Sequence, residues 1–297
     1  MGWLKEAAKQ SAAPKHGIID ILKKNMGGYE AARSTEVVHA SDITKDSFCP
    51  RQYALWDVLG KSKEGGYVST ALRATFDIGN ATAKVFIENW AGQHAIGDWK
   101  CQRCNKVVFM QSKPGLGCIN NGAQVLGCMW TFMEPRFQSV EFDVNGGIDV
   151  FMDMGSQKWV AVELKIIRLE DFDAIVAPLP EHRIRTSLYL KLIADSNSIY
   201  KDKINLHEAR VLYVSRGYGK KNEAYGEVLP FKEFVVNRDD EIIAKPLAKA
   251  KQVKVWRAEK KMPAGICNTA LDKYAKNCNV CKGCFSGEYP AEQVKPW

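Results

Sequence analysis

The sequence predicts an α/β protein whose core is a mixed central β-sheet flanked by helices. Two observations carry that expectation. Helix-spaced apolar segments precede and follow a block of short strand-like runs, and a further helical segment interrupts that block. Two of the strand-like runs, Gly147-Ile148-Asp149-Val150 and Val162-Glu163-Leu164-Lys165-Ile166, hold charged residues within apolar sequence. At 297 residues, 46% hydrophobic and 26% charged, the chain has an ordinary globular composition and the length to bury a large core. No run of about 18 uncharged apolar residues is present, which excludes a membrane-spanning helix. The formal charge of +8 is compatible with a polyanionic partner.

Taken in order, residues 1–40 read as a polar arm with one amphipathic stretch at Ile18–Leu22. A helix starts at Ser41-Asp42, carries Cys49-Pro50-Arg51-Gln52-Tyr53 with Leu55, Trp56 and Leu59, and stops at Gly60 and Gly65-Gly66. A second spans about 70–90, with Leu72, Phe76, Phe86 and Trp90 as its core stripe. Residues 98–130 are rich in Gly and Cys and read as an inserted metal knuckle. Strands follow at 137–144 and 147–154, joined as a hairpin across Asn145-Gly146, and at 159–167. A helix at 181–194 uses Ile184, Leu188, Leu192 and Ile193. Strands at 209–215 and 228–236 precede a long basic helix from Asp239 to Lys261, bent at Pro246. The expected organisation is an arm at 1–40 and one domain at 41–297. Within that domain, 98–130 is an insertion and the Cys-rich segment 262–297 packs on 41–60.

A buried carboxylate or ammonium costs several kcal/mol unless it is paired or binds a metal. In a strand, Glu163 and Lys165 share one face while Val162, Leu164 and Ile166 share the other. Taken alone, Glu-x-Lys is as well explained by a structural ion pair. Asp149 on the preceding strand could reach the same patch, which points to a Mg²⁺ or Mn²⁺ site beside an amine. Such an ion polarises a phosphate and lowers the pKa of a bound water.

These residues resemble the core of the PD-(D/E)XK nucleases, in the RecB-like branch. The resemblance implies a restriction-endonuclease-like core in which Asp149 and Glu163 hold the metal, with the Leu164 carbonyl as a further ligand. Lys165 would assist the attacking water. The branch carries Gln-x-x-x-Tyr on the next helix; here Arg185-Thr186-Ser187-Leu188-Tyr189 keeps the tyrosine and replaces the Gln by Arg185. A core aromatic explains Tyr189 equally well. The branch also carries Gly-x-x-x-His on an early helix; Gly79 is followed by Ala83 in that slot, with Glu88, Asp77 or His94 as substitutes.

Nine cysteines are present, eight of them in two short regions, which asks for metal more than for disulfides. Cys101-x₂-Cys104 with Cys118 and Cys128 reads as a structural zinc ribbon; a flexible insertion with surplus thiols is the alternative. Cys49 at one end and Cys267, Cys278, Cys281 and Cys284 at the other resemble the split cysteines of AddB-type and CRISPR-associated RecB-like nucleases. That likeness implies a 4Fe–4S cluster on Cys49, Cys267, Cys278 and Cys284, stapling the tail to the early helix; Cys281 in place of Cys267 is the other set, and four thiolates also suit zinc.

His182, Arg183 and Arg185 are the candidate phosphate contacts. The lysines and arginines of the late helix could guide DNA, although a solvated face is the commoner explanation of such a run. The resemblance implies a metal-dependent deoxyribonuclease of a phage or bacterium. It would be an exonuclease on DNA ends or single strands, in recombination, repair or phage DNA processing, with other recombination proteins as partners. The alternative is a DNA-binding or recombination-assembly protein that keeps the fold with a weakened site. The first residues lack the apolar core of a signal peptide, so a cytoplasmic location is expected.

Overall fold

The computed structural model describes residues 18–29, 35–61, 67–115, 117–120, 123–217, 221–222 and 227–295. The chain divides into two units, Met1–Ser34 with Lys63–Ala81, and Thr35–Ser62 with Thr82–Trp297. The first holds helix α1 (Ile18–Met26) and a ribbon of Gly28–Tyr29 with Tyr67–Val68.

The second unit carries the sheet. Its early elements are β1 (Val38–His39), α2 (Ala40–Ile43) and α3 (Pro50–Val58). Helix α4 (Thr70–Val85) begins in the first unit and enters the second at Thr82. Strands β2 (Ala95–Cys101), β3 (Val107–Gln111), β4 (Trp130–Met133), β5 (Arg136–Ser139), β6 (Val144–Gly147), β7 (Val150–Met152) and β8 (Trp159–Ile167) follow. Then come α5 (Leu169–Ala174), α6 (Pro180–Asp195), β9 (Ile204–Ser215), β10 (Phe231–Asn237), α7 (Asp240–Glu259) and α8 (Cys281–Phe285).

Seven strands form a mixed sheet in the order β10-β9-β8-β7-β2-β3, with β4 also paired to β2. Strands β8 and β9 are parallel, as their connection through α5 and α6 requires, and the other pairs are antiparallel. β8 is central and buried on both faces. Val162 and Leu164 pack with Trp99, Trp130, Val150 and Val214, while Ala161 packs with Phe151, Leu188, Leu192 and Ile243 beneath α6 and α7. By strand alternation, Glu163 and Lys165 lie on the α6 side with Ala161. The fold is therefore the expected mixed α/β architecture.

Several local expectations are corrected. The early helix is broken in two, because Pro50 starts α3 at a position that needs no N–H, and the chain turns through Thr44–Cys49 before it. Leu72, Phe76 and Trp90 do not form a core stripe; all three are exposed, and only Phe86 is buried. The last turn of that helical region is a π-turn at Phe86–Trp90. Asn145-Gly146 is not a turn. It lies inside β6, paired with Gln138 and Phe137 of β5, and the reversal falls at Val140–Asp143, where Asp143 takes φ +53°. Gly146 serves close packing instead: a Cβ there would meet Leu192 at 2.9 Å and the Tyr189 ring at 3.1 Å.

Several basic side chains of α7 are tied into the fold, while Lys245 and Lys251 are exposed. Lys249 is buried. Lys254 donates to the Val140 and Glu141 carbonyls at 2.8 and 2.9 Å, and Arg257 binds Asp143 and the Thr35 carbonyl, both at 2.7 Å. Lys260 pairs with Asp57 at 3.3 Å and Lys261 with Glu259 at 2.6 Å. The run braces the reversal between β5 and β6 and the end of α3.

Candidate active site and metal centres

Asp149 sits at the bend between β6 and β7, just where the ladder to β8 begins at the Val150–Val162 pair. Its Oδ2 accepts the Leu164 N–H at 2.7 Å, taking the place of a strand acceptor. Lys165 Nζ lies 2.5 Å from Glu163 Oε1 and 3.9 Å from Asp149 Oδ2, and also donates to the Leu164 carbonyl at 3.2 Å. From α6, Arg185 Nη1 reaches Glu163 Oε1 at 3.5 Å, while its Nε is buried without a partner among the described residues. Asp149, Glu163, Leu164, Lys165 and Arg185 are thus brought together. Glu163 is 3% exposed at its side chain, whereas Asp149 keeps 28% and Lys165 20%.

Electrostatics follows from that crowding. Burial and the Glu163 charge push the Asp149 carboxyl up to about 7. Burial alone would lower Lys165, but Glu163 and Asp149 outweigh it and raise its pKa, so the amine stays an ammonium. Tyr189, four residues beyond Arg185 on α6, is raised by burial and by the charges of Glu163 and Asp149, which places its phenol within their electrostatic reach. Its ring also belongs to the main core.

The remaining candidates are placed differently. Arg183 is exposed. His182 is buried, with Nδ1 2.7 Å from Tyr213 Oη, and that same oxygen accepts the Leu179 N–H at 3.0 Å. It is a core contact. Ala83 packs against the second core cluster. Glu88 accepts the Phe132 N–H at 3.2 Å, and His94 Nδ1 donates to the Asp153 carbonyl at 2.9 Å, so two of the three candidate substitutes for the absent histidine are engaged by backbone, and the third, Asp77, is exposed.

Sequence reasoning missed Glu134. Gly147 pairs with Arg136, and Ile148 N–H donates to the Pro135 carbonyl at 3.0 Å. One step further along the same register brings Glu134 beside Asp149. The Glu134 Oε2 lies where a Gly147 Cβ would stand 2.9 Å away, and its charge acts on both Asp149 and Tyr189. The only signal in the sequence was an acid just before Pro135, after the strand-like Trp130–Met133.

Two carboxylates pressed together, with a main-chain carbonyl next to them, are a donor set suited to a hard divalent cation. Asp149 and Glu163 would hold it, with the Leu164 carbonyl.

The knuckle thiols converge. The ligand atoms of Cys101, Cys104, Cys118 and Cys128 all lie within 4.8 Å of one another. Backbone N–H groups of Cys104 and Arg103 help lower Cys101 to about 6, while the Cys128 and Cys104 thiols and burial raise Cys118. Asn105, at φ +58°, lets the loop turn back, and Cys101 N–H donates to the Lys106 carbonyl at 2.8 Å. The knuckle grows from β2, β3 and β4 of the main sheet, with the ribbon Gly117–Asn120 and Ala123–Leu126 beyond them. These four sulfurs are placed to hold a single metal ion.

The other five thiols, Cys49, Cys267, Cys278, Cys281 and Cys284, line one cavity of about 230 Å³. That is more space than one ion bonded to sulfur at about 2.3 Å fills. The geometry gathers all five rather than singling out four. Burial, with the neighbouring thiols adding to it, raises Cys49, Cys267 and Cys278. The tail is fastened to α3 independently of any metal: Trp56 Nε1 donates to Asn279 Oδ1 at 2.8 Å and Lys61 to the Asn279 carbonyl at 2.9 Å.

The fold and these sites define a mixed α/β protein with a carboxylate–lysine cluster on its central strand and a tetrathiol knuckle. No family model matches the chain, and no curated protein matches it. Among solved structures it is similar to SSO0001 (12% identity, 94% of this chain and 98% of that one, TM-score 0.37). It is also similar to an alkaline exonuclease, LHK-Exo, from Laribacter hongkongensis (13% identity, 81% and 93%, TM-score 0.35). Likeness at that level carries no argument about activity. Among the described residues, no helix is long and apolar enough to cross a membrane.

Proposed function

We propose that this chain is a metal-dependent nuclease that hydrolyses phosphodiester bonds in DNA. One observation carries the reading: Asp149, at the bend before β7, meets Glu163 and Lys165 of β8 near the centre of the sheet, with Arg185 from α6 beside them. A divalent ion, when bound, would polarise the phosphate and supply an activated water. Lys165, held as an ammonium, keeps positive charge where the transition state gains negative charge. Arg185 adds a second cation beside Glu163. The PD-(D/E)XK resemblance, RecB-like branch, names the same residues. Zinc in the knuckle and an iron–sulfur cluster in the five-thiol cavity complete the proposal.

A second reading has its own observation. Glu163 is 3% exposed and already paired with both Lys165 and Arg185, a closed ion cluster that needs no metal. In that reading the chain binds DNA without cutting it. Incubation of labelled single- and double-stranded DNA with Mg²⁺ or Mn²⁺ separates the two. The nuclease reading predicts cleavage by the wild type and loss on the order of 10²–10³-fold in Lys165→Ala. Binding without cleavage by the wild type would reject it.

A further inference from the structure

Two side chains at the start of α3, Gln52 and Arg51, lie close to thiols of the five-thiol cavity. Gln52, one turn into α3, donates from Nε2 to Cys278 Sγ at 3.4 Å. Arg51 is 7% exposed. Its terminal nitrogens are used on backbone: Nη1 donates to the Pro263 carbonyl at 3.3 Å, and Nη2 to the carbonyls of Cys284, at 3.2 Å, and Tyr289. Its Nε is buried with no partner among the described residues. A Cβ on Gly265, which lines the cavity, would lie 3.3 Å from Arg51 Cδ and 3.7 Å from Cys284 Sγ. The guanidinium stem and that sulfur therefore border the same point of the wall. Lys249 on α7 is 4% exposed, and the Cys49 thiol is among the groups acting on its charge.

Thiolate-ligated iron–sulfur clusters are anionic and become more so when reduced. Burying such an anion is costly unless donors and cations face it. Hydrogen bonds to the sulfurs and nearby charge also set the reduction potential. A buried guanidinium N–H without a partner is costly, and an acceptor brought within its reach lowers that cost.

We infer that Gln52, Arg51 and Lys249 form a donor wall that holds an anionic iron–sulfur cluster in this cavity and raises its reduction potential. The inference rests on the iron–sulfur reading of the five thiols. Arg51 shapes the tail around the cavity through its terminal nitrogens and brings its charge close to Cys284. Gln52 supplies a neutral donor to one ligand, and Lys249 a buried positive charge near another.

The test uses the full chain purified without air. Iron and acid-labile sulfide are counted per chain, and the visible absorption is followed in a potentiometric titration in which dithionite supplies the electron. Gln52→Leu removes the N–H donor, and Lys249→Met removes the charge at similar length. Each variant, with unchanged far-ultraviolet circular dichroism, is expected to show a more negative midpoint potential than the wild type, or loss of iron and sulfide together. Wild type with neither iron nor sulfide would reject the cluster itself. Wild type that holds both, beside variants with unaltered content and potential, would reject the donor wall alone.

Discussion

Asp149 Oδ2 and the backbone nitrogen of Leu164 are 2.7 Å apart, so the acid at the bend is docked on the strand that carries Glu163 and Lys165. That bond gives Asp149 two separable tasks, accepting an amide hydrogen and holding negative charge. Asp149→Asn keeps an acceptor and removes the charge, whereas Asp149→Ala orphans the amide. Thermal melting is expected to find Asp149→Asn near the wild type without metal and Asp149→Ala lower by about 1–3 kcal/mol. Both variants are expected to lose divalent-ion binding.

Glu134 stands next to Asp149 by register, although nothing in its local sequence marks it. In the proposed metal site Glu134 would add a third carboxylate. Glu134→Gln should weaken Mn²⁺ binding about 10-fold, measured by calorimetry, with the melting temperature little changed. Equal affinity in variant and wild type would assign Glu134 to the surface alone.

His182 gives the fold a pH dependence. Burial, with a smaller contribution from Lys165, lowers its pKa to about 4, below the value of about 6.5 expected when unfolded. Between those values the unfolded chain binds the extra proton, so stability is present above about pH 6.5 and is lost as pH falls toward 4. The loss is on the order of 2–3 kcal/mol. His182→Gln can keep a bond to Tyr213 and cannot titrate. Melts between pH 4 and 7 should therefore be flatter in that variant.

The two sulfur sites are independent. Cys101→Ser should remove zinc from the chain and leave iron in place, because Cys101 belongs to the knuckle on β2 and does not line the five-thiol cavity. Elemental analysis of the variant reads both metals at once. Loss of both together would mean that one site depends on the other.

Much of this was legible in the sequence where local pattern and burial agree. β8 runs from Trp159 to Ile167 as its apolar run implies, and Glu163 and Lys165 stand out there because charges are rare in a strand buried on both faces. Helix α6 follows its Leu and Ile spacing. What the sequence could not show depends on distant partners. Asn145-Gly146 has the residues of a tight turn, yet the reversal sits at Val140–Asp143 because Lys254 and Arg257, more than a hundred residues later, bind its carbonyls and carboxylate. The same contacts give Lys254 and Arg257, two members of the basic run of α7, a structural task. Glu134 was invisible because a pairing between β5 and β6 brings it to Asp149. His182 looked like a surface base beside two arginines, and only the approach of Tyr213 from β9 makes it a core residue.

The most direct test is a crystal of the Lys165→Ala variant soaked in Mn²⁺ and measured at the manganese absorption edge. The account predicts an anomalous peak about 2.0–2.2 Å from carboxylate oxygens of Asp149 and Glu163 and from the Leu164 carbonyl. A map with ordered side chains at those positions and manganese bound elsewhere, or nowhere, would contradict it.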